Sequence, residues 1–271
     1  MNHGSLFSGI GGFDLAAEWM GWNNVFNCEW EEFPRQVLKH HFPNAIQHGD
    51  IKELDATTYF GRIDILTGGF PCQPYSFAGQ RKGKDDERHL WDEMLRVIQE
   101  CAPRYVVGEN VLGLVGWNGG MVFEEVCSDL EAEGYAVQPY VLPAASVGAP
   151  HRRNRVWFVA YADGCDENTR RKSNIKKKAE IRRHETSHVP GALFGDGTTT
   201  NATSTGTQKH NWENFPTISA ICGGDDGLPT QLDGITFSKW RRETIKAYGN
   251  AIVPQVALQI FKAIEQYELS L

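Results

Sequence analysis

The sequence predicts an α/β fold, a doubly wound and mostly parallel sheet with helices on both faces, followed by a smaller irregular region. Three observations carry this prediction. The first 160 residues alternate short apolar runs with amphipathic segments of helical length, glycines follow the first apolar run, and regular patterning stops after Asp163. Strands separated by helices of this length are typical of βαβ units and a parallel sheet.

The local patterns place each element in turn. Apolar runs predict strands at residues 5–8, 25–29, 63–67, 105–107, 136–142 and 156–161. Helical spacing of apolar residues predicts helices at 13–20, 33–41, 91–101, 123–133 and 255–267. Pro43 and Pro103 follow the second and third of these helices, and proline commonly lies just beyond a helix end.

Residues 164–246 differ from the rest in composition. The whole chain carries a net charge of −7, whereas residues 164–210 hold nine Lys or Arg against five Asp or Glu. Gly- and Thr-rich loop sequence follows. We therefore predict three parts: residues 1–163, a second domain at 164–246, and a C-terminal helix at 247–271 that returns to the first domain. The basic stretch indicates either a surface that faces a polyanion or a solvated basic segment.

Several classes of protein are disfavoured. No apolar stretch is long enough to span a membrane, and the N-terminus does not resemble a signal peptide. The six cysteines are scattered without a Cys-x-x-Cys pair, which predicts free thiols in a reducing compartment and no metal site. These features predict a cytoplasmic protein.

Residues 68–76 read Gly-Gly-Phe-Pro-Cys-Gln-Pro-Tyr-Ser, directly after a predicted strand. Pro71 and Pro74 restrict the backbone on either side of Cys72, and the two glycines allow close approach of a ligand. A thiol held at a strand end is a candidate nucleophile. The alternative is a buried structural cysteine, which is common for free cysteines.

Glycines also mark the turn after the first strand, at Gly9, Gly11 and Gly12. The third glycine of a dinucleotide fingerprint is missing at its usual place, but small residues there still admit a nucleoside. Glu29 follows 17 to 20 residues later, where an acidic residue commonly accepts hydrogen bonds from ribose hydroxyls. Asp50 is placed to reach an adenine amino group. Together these residues favour a nucleoside cofactor.

Polar residues also follow the later strands. Glu109 comes at the end of the predicted strand 105–107, so it faces the same crevice as Cys72. A protonated Glu109 that donates to a ring nitrogen fits this place better than a simple thiol–base pair. Arg153 and Arg155 point to the same face if their segment is extended. Two guanidinium groups there can lower the pKa of the Cys72 thiol and hold the polar edge of a base. The alternative is that both arginines lie in a solvated basic turn.

In this order the motifs resemble those of the DNA (cytosine-5) methyltransferases. The resemblance rests on Phe-Ser-Gly-Ile-Gly-Gly, Glu-Trp, Asp-Ile, Gly-Phe-Pro-Cys-Gln, Glu-Asn-Val, Arg-Arg-Asn-Arg and Gly-Asn-Ala-Ile-Val-Pro, and covers residues 5–161 and 249–260. It implies a class I, Rossmann-like methyltransferase fold, with residues 164–246 in the place of the target recognition domain. The short chain is similar to compact prokaryotic or phage-type members.

The resemblance also implies roles for particular residues. Cys72 is expected to attack cytosine C6 while Glu109 protonates N3, Arg155 holds the carbonyl oxygen and Arg153 lies near the thiol. S-adenosylmethionine, the methyl donor, is expected to contact Phe7, Ser8, Gly9, Ile10, Gly11, Gly12, Glu29, Trp30, Asp50, Ile51, Pro71, Asn250 and Ala251. A loop over residues 75–90 is expected to close over the DNA. The DNA contacts are assigned to Gln73, Ser76, Gln80, Arg81 and Lys82.

The expected partner is double-stranded DNA, with the target cytosine flipped out of the helix. A monomer is expected, without a metal, in a prokaryotic cell or a phage-infected host, and a cognate restriction endonuclease is a possible companion. The alternatives are a tRNA cytosine-5 methyltransferase and a catalytically silent, cofactor-bound DNA-binding protein. An unrelated doubly wound oxidoreductase is disfavoured by the missing third glycine.

Overall fold

The computed structural model describes residues 1–71, 90–162 and 239–270. All of these residues belong to one compact unit. Cys72, the predicted loop over 75–90 except its last residue, and nearly all of the predicted target recognition domain lie outside the described residues. The division at 163/164 and 246/247 therefore stays a prediction.

The strands within the described parts follow the predicted order, with one addition. They are β1 (Asn2–Leu6), β2 (Asn23–Cys28), β3 (Ile46–His48), β4 (Ile65–Gly68), β5 (Tyr105–Val111), β6 (Tyr135–Pro143) and β7 (Asn154–Ala162). The helices are α1 (Gly12–Trp19), α2 (Glu32–His41), α3 (Trp91–Cys101), α4 (Gly113–Gly116), α5 (Met121–Ala132), α6 (Lys239–Asn250) and α7 (Pro254–Glu268).

The described strands form one sheet in the order β3-β2-β1-β4-β5-β7-β6. The first five strands in this order pair in parallel, whereas β7 is antiparallel to both of its neighbours. Because β7 runs the other way, its first residues lie at the edge where β5 ends, and Val111 pairs with Arg155. This reversal brings residues from the middle of the chain to the carboxyl edge of the parallel strands.

Apolar side chains alternate between the two faces of the sheet, and helices cover both faces. Leu66, Val106 and Phe158 belong to one core cluster, which α3 and α5 complete. Their sequence neighbours Ile65 and Val107 belong to a second cluster, which α1 and α7 complete. Burial on both faces is what a doubly wound sheet requires, and the predicted fold class is confirmed.

Most predicted elements occur within a few residues of their predicted bounds, and α3 has the predicted bounds of 91 and 101. Three differences matter for the site. The strand β3 was missed, since it has only three residues and its one aliphatic side chain, Ile46, is half exposed. The strand β5 extends to Val111, so Glu109 lies inside a strand rather than after it. A helix, α6, precedes the loop at residues 251–253.

In the described parts of the chain, every helix is too short or too polar to cross a membrane.

Candidate active site

The carboxyl ends of β1, β4 and β5 meet at one edge of the sheet. Each end leads into a segment that the sequence marks as functional: the glycine turn after β1, Gly69 to Pro71 after β4, and Glu109 to Val111 at the end of β5. In parallel sheets, ligands bind outside this edge. The predicted site residues within the described parts therefore gather at the place where the fold favours a site.

The glycine turn has a left-handed backbone at three places. Phe7 has φ of 50°, Gly9 has φ of 55° and Gly11 has φ of 86°. A Cβ on Gly11 would lie 2.5 Å from the ring of Phe42, so a side chain would not fit there. A Cβ on Gly9 would meet no atom within 4 Å, so this glycine borders open space.

Ser8 has a structural role in this turn. Its hydroxyl is buried and shares its single hydrogen between the carbonyl oxygens of Ser5 and Cys28, at 3.2 and 3.3 Å. The same hydroxyl accepts the Cys28 amide at 3.2 Å. These bonds join the ends of β1 and β2 and fix the direction in which the turn leaves the sheet.

The carboxylate of Glu29 is held by two backbone amides. Its Oε2 accepts from Gly9 N and its Oε1 accepts from Glu31 N, both at 2.8 Å. Burial raises the pKa of Glu29, and these two amide bonds oppose that rise. The carboxylate is thus fixed beside the glycine turn, and each oxygen retains a lone pair for a further donor.

The residues near Glu29 offer different surfaces. Trp30 is 71% exposed, so its indole presents an apolar face to the outside. Asp50 accepts the Lys52 amide through Oδ1 at 2.9 Å. The side chain of Ile51 is buried in the core, so any ligand contact of Ile51 would go through its backbone.

Asn110 joins β5 to the segment that precedes Cys72. Its buried side-chain amide donates to the carbonyl of Phe70 at 3.1 Å, and its Oδ1 accepts the Val111 amide at 2.8 Å. Phe70 comes two residues before Cys72, and Pro71 is the last described residue before it. Asn110 thereby fixes the backbone at Phe70, two residues before Cys72 in the sequence.

The buried carboxylate of Glu109 forms an ion pair across β5 and β7 with Arg155, whose side chain is partly exposed. The Nε of Arg155 lies 3.0 Å from Oε1 of Glu109. Burial raises the pKa of Glu109 to about 7, and the positive charges of Arg155 and Arg153 counteract this only in part. A carboxyl with a pKa near neutrality can hold a proton and release it at physiological pH.

Arg153 does not lie in an extended segment as predicted. Its φ is 38°, in the left-handed region, and β7 begins only at Asn154. Its Nη2 donates to the carbonyls of Gly249 at 3.0 Å and Ala251 at 2.6 Å. Arg153 and Arg155 therefore have different partners: Arg155 contacts the carboxylate, and Arg153 holds the loop between α6 and α7. The predicted approach of Arg153 to the thiol stays untested.

The same loop contacts the glycine turn. A Cβ on Gly12 would lie 2.6 Å from Cγ1 of Ile252. The end of α6 and the loop at 251–253 therefore lie between the glycine turn and Arg153. Ala251 takes part through its backbone, whereas Asn250 is exposed at the end of α6.

Sequence reasoning missed three residues at this edge. Asn110 donates a hydrogen bond to the Phe70 carbonyl, and Ile252 packs against Gly12. The third residue, Trp157, places a buried indole beside Glu109. Only Asn110 left a local signal, as an amide next to Glu109 in a strand that is otherwise apolar. The predicted nucleophile Cys72 and the predicted DNA contacts Gln73, Ser76, Gln80, Arg81 and Lys82 lie outside the described residues.

Comparison with known proteins places the chain in a family. The family model described as "C-5 cytosine-specific DNA methylase" matches residues 1–224. The type II methyltransferase M.NgoBI of Neisseria gonorrhoeae is 37% identical over 159 residues, covering 58% of this chain and 50% of that protein. M.HhaI of Haemophilus parahaemolyticus is 33% identical over 157 residues, covering 58% and 47%.

A solved structure supports the same assignment. The chain matches the crystal structure of a candidate DNA modification methyltransferase encoded within an Escherichia coli prophage, with a TM-score of 0.52 and 26% identity over 60% of this chain and 47% of that one. The chain spans about half the length of the curated relatives it matches. On the strength of the family match, which covers most of its length, this chain belongs to the C-5 cytosine-specific DNA methylases.

Proposed function

We propose that this protein is a DNA (cytosine-5-)-methyltransferase. It transfers a methyl group from S-adenosylmethionine to C5 of a flipped-out cytosine in a specific duplex sequence, through a covalent bond between Cys72 and C6. The observation that carries the proposal is the ion pair of the buried Glu109 with Arg155, which lies at the same sheet edge as the glycine turn.

The residues at the glycine turn fit a nucleoside cofactor. Glu29 holds a fixed carboxylate for the ribose hydroxyls, and Gly9 borders open space where a ligand can approach the backbone. Trp30 offers an exposed ring for stacking, and Asp50 and the Ile51 backbone are assigned to the adenine. S-adenosylmethionine supplies an electrophilic methyl group when bound, and S-adenosylhomocysteine is the product.

The chemistry at the base needs a nucleophile and a proton donor, because C5 of cytosine is itself a weak nucleophile. The Cys72 thiolate forms a bond to C6, and Glu109 delivers its proton to N3, so the electron pair of the 5,6 double bond becomes available at C5. After the methyl group is on C5, a water molecule acting as base takes the C5 proton, the electron pair of that C–H bond restores the 5,6 double bond, and the thiolate leaves C6. The N3 proton returns to Glu109. Covalent catalysis thus divides one difficult step into easier ones.

The pKa of Glu109 suits this task. Burial raises the pKa of Glu109 to about 7, so the protonated form is accessible at neutral pH. Arg155 uses Nε for Glu109 and Nη1 for the carbonyl of Asn154 at 2.9 Å, which leaves Nη2 to reach the cytosine carbonyl oxygen. Asn110 supports the arrangement by fixing the backbone before Cys72.

Target choice is assigned to the region outside the described residues. We propose catalytic residues in 1–163, a target recognition domain at 164–246 and a returning helix at 247–271. The protein acts on double-stranded DNA as a monomer, in the cytoplasm of a prokaryotic cell or a phage-infected host. Because the relatives are named type II methyltransferases, a cognate restriction endonuclease is a further expected companion.

A transfer assay tests the substrate class. Purified protein is incubated with S-adenosylmethionine labelled in the methyl group and with either mixed-sequence duplex DNA or tRNA. We expect label in DNA alone, and none with Cys72→Ala. Label in tRNA alone would replace DNA by tRNA as the substrate. No transfer to either, with cofactor binding intact, would favour a silent DNA-binding protein.

A second variant tests the role of Glu109. Glu109→Gln keeps the size and the hydrogen-bonding capacity of the side chain but cannot release a proton. General acid catalysis contributes roughly 10²–10⁴-fold, so we expect the transfer rate to fall by at least about 100-fold while cofactor affinity is retained. Glu32→Gln on the exposed face of α2 is the control, and it should leave the rate unchanged.

A further inference from the structure

A small cavity of about 10 Å³ lies beside Glu109. Its walls come from β5, from β6 and the residue after it, from β7 and the residue before it, and from the loop before α7 and the start of that helix. The polar lining residues are Glu109, Arg153, Arg155 and Trp157, and the apolar ones are Leu142, Ala144, Ile252, Val253 and Val256. This volume matches the smallest cavity that holds one water molecule.

Strand pairing explains why these polar side chains meet. Glu109 is paired directly with Trp157, and Val111 is paired with Arg155. Directly paired residues of an antiparallel ladder point to the same face, and positions two apart on a strand do the same. Glu109, Trp157 and Arg155 therefore share one face, next to the loop that Arg153 holds.

Two of the residues that line the cavity carry a buried donor that has no acceptor among the described residues. The indole N–H of Trp157 is buried, and the side chain is only 2% exposed. The Nε of Arg153 is likewise buried without an acceptor, although Nη2 of the same group is satisfied. A buried donor left without a partner costs about 1–3 kcal/mol, so two donors on one small cavity indicate a shared ligand.

We propose that this cavity holds one ordered water molecule, which accepts from Trp157 Nε1 and Arg153 Nε and donates to the carboxylate of Glu109. A water molecule has two acceptor sites and two donor hydrogens, so it satisfies both N–H groups and supplies a hydrogen bond to the carboxylate. Trp157 is then a positioning residue for Glu109, since it acts through the water.

The water favours the ionised form of Glu109, because it donates to the carboxylate. The charged groups that face Glu109 from the described elements are Arg155 and Arg153. The walls formed by the end of β6 with Ala144, and by the loop before α7 with the start of that helix, contribute apolar side chains alone among the described residues. Loss of the water should therefore raise the pKa of Glu109. The water site does not depend on the proposed reaction, and only its catalytic consequence rests on that function.

Crystallography of the full chain tests the site directly, at a resolution that shows ordered waters. We expect one density peak at about 2.7–3.2 Å from both Trp157 Nε1 and Arg153 Nε. An empty cavity would overturn the proposal. An anomalous peak there in crystals soaked in bromide would also overturn it, because it would identify a halide site instead.

Trp157→Phe keeps most of the ring and removes the N–H group. The carboxyl of Glu109 is followed by ¹³C NMR against pH, with its signal assigned by Glu109→Gln. We expect the pKa of Glu109 to rise by roughly half a unit to one unit. Trp91→Phe is the matched control, since Trp91 is also buried but donates to Asp129 at 2.8 Å. Equal titrations in both variants and the wild type would contradict the proposal.

Ala144→Val provides a test that does not need the tryptophan variant to fold. The added methyl groups occupy the cavity from its wall. If a water is displaced, the pKa of Glu109 rises and the melting temperature falls. If the cavity is dry, the same substitution fills it, raises the melting temperature and leaves Glu109 unchanged, which would refute the proposal. An inactive enzyme that retains the water would refute the proposed function alone.

Discussion

Nη2 of Arg153 donates to the carbonyl of Ala251 at 2.6 Å, so the residue before β7 holds the loop before α7. The same loop packs Ile252 against Gly12 in the glycine turn. One short segment therefore contacts both the candidate cofactor turn and the residues around Glu109. This arrangement predicts that Arg153 affects cofactor binding although it lies on the base side of the site.

Arg153→Met should weaken the binding of S-adenosylhomocysteine by about tenfold or more, because hydrogen bonds from a charged donor contribute about 1.5–3 kcal/mol. Isothermal titration calorimetry measures the dissociation constant for S-adenosylhomocysteine. Arg104→Met is the matched control: Arg104 also holds the C-terminal region, through Glu268, but at the opposite edge of the sheet. Equal affinities in the two variants would refute the role given to Arg153.

Gly12→Ala should destabilise the protein by roughly 1–3 kcal/mol, the usual range for overpacking, because the new Cβ would lie 2.6 Å from Ile252 Cγ1. Urea unfolding measures the free energy. The double variant Gly12→Ala/Ile252→Ala should lose less stability than the sum of the single variants, since the clash is absent. Gly116→Ala should be nearly neutral, because its Cβ would meet no atom within 4 Å. Additive single effects would show that the two residues do not contact.

Asp14→Asn should make the stability less sensitive to pH. Burial raises the pKa of Asp14 to about 7 from an ordinary 3.8, while Ser5 and Asn27 partly oppose the rise. The folded state therefore holds a proton that the unfolded state releases, and this contribution is present at low pH and is lost as pH rises from about 4 to about 7. The variant should gain stability over the wild type across that window, on the order of 4 kcal/mol, since about three pKa units at about 1.4 kcal/mol each separate the two states.

Unfolding midpoints at several pH values between 4 and 8 provide the test. Burial lowers the pKa of His3 to about 4, which gives the opposite trend, but His3 is present in both proteins and cancels in the difference. Glu32→Gln is the control: Gln36 and Arg35 lower the pKa of Glu32, so its removal should bring no gain at higher pH. If the difference in stability between Asp14→Asn and the wild type stays constant with pH, the pKa of the buried Asp14 carboxyl is not raised in the folded state.

The sequence patterns predicted the helices better than the site contacts. The helix α3 has one clear apolar face and a proline two residues after its end, so both of its ends could be predicted from the neighbouring sequence. Arg153 could not be placed in the same way, because its left-handed backbone and its carbonyl acceptors depend on a loop almost a hundred residues away. The contact of Gly12 with Ile252 could not be predicted either, because the two residues lie near opposite ends of the chain and no local sequence pattern includes both.

Sequencing for 5-methylcytosine tests the central claim most directly. The chain is expressed in a host that lacks cytosine methylation, and its genomic DNA is compared with DNA from cells that express Cys72→Ala. We predict 5-methylcytosine at one fixed recognition sequence with the wild type and none with the variant. Unmethylated DNA from cells that contain folded wild-type protein, or equal methylation by Cys72→Ala, would contradict the account.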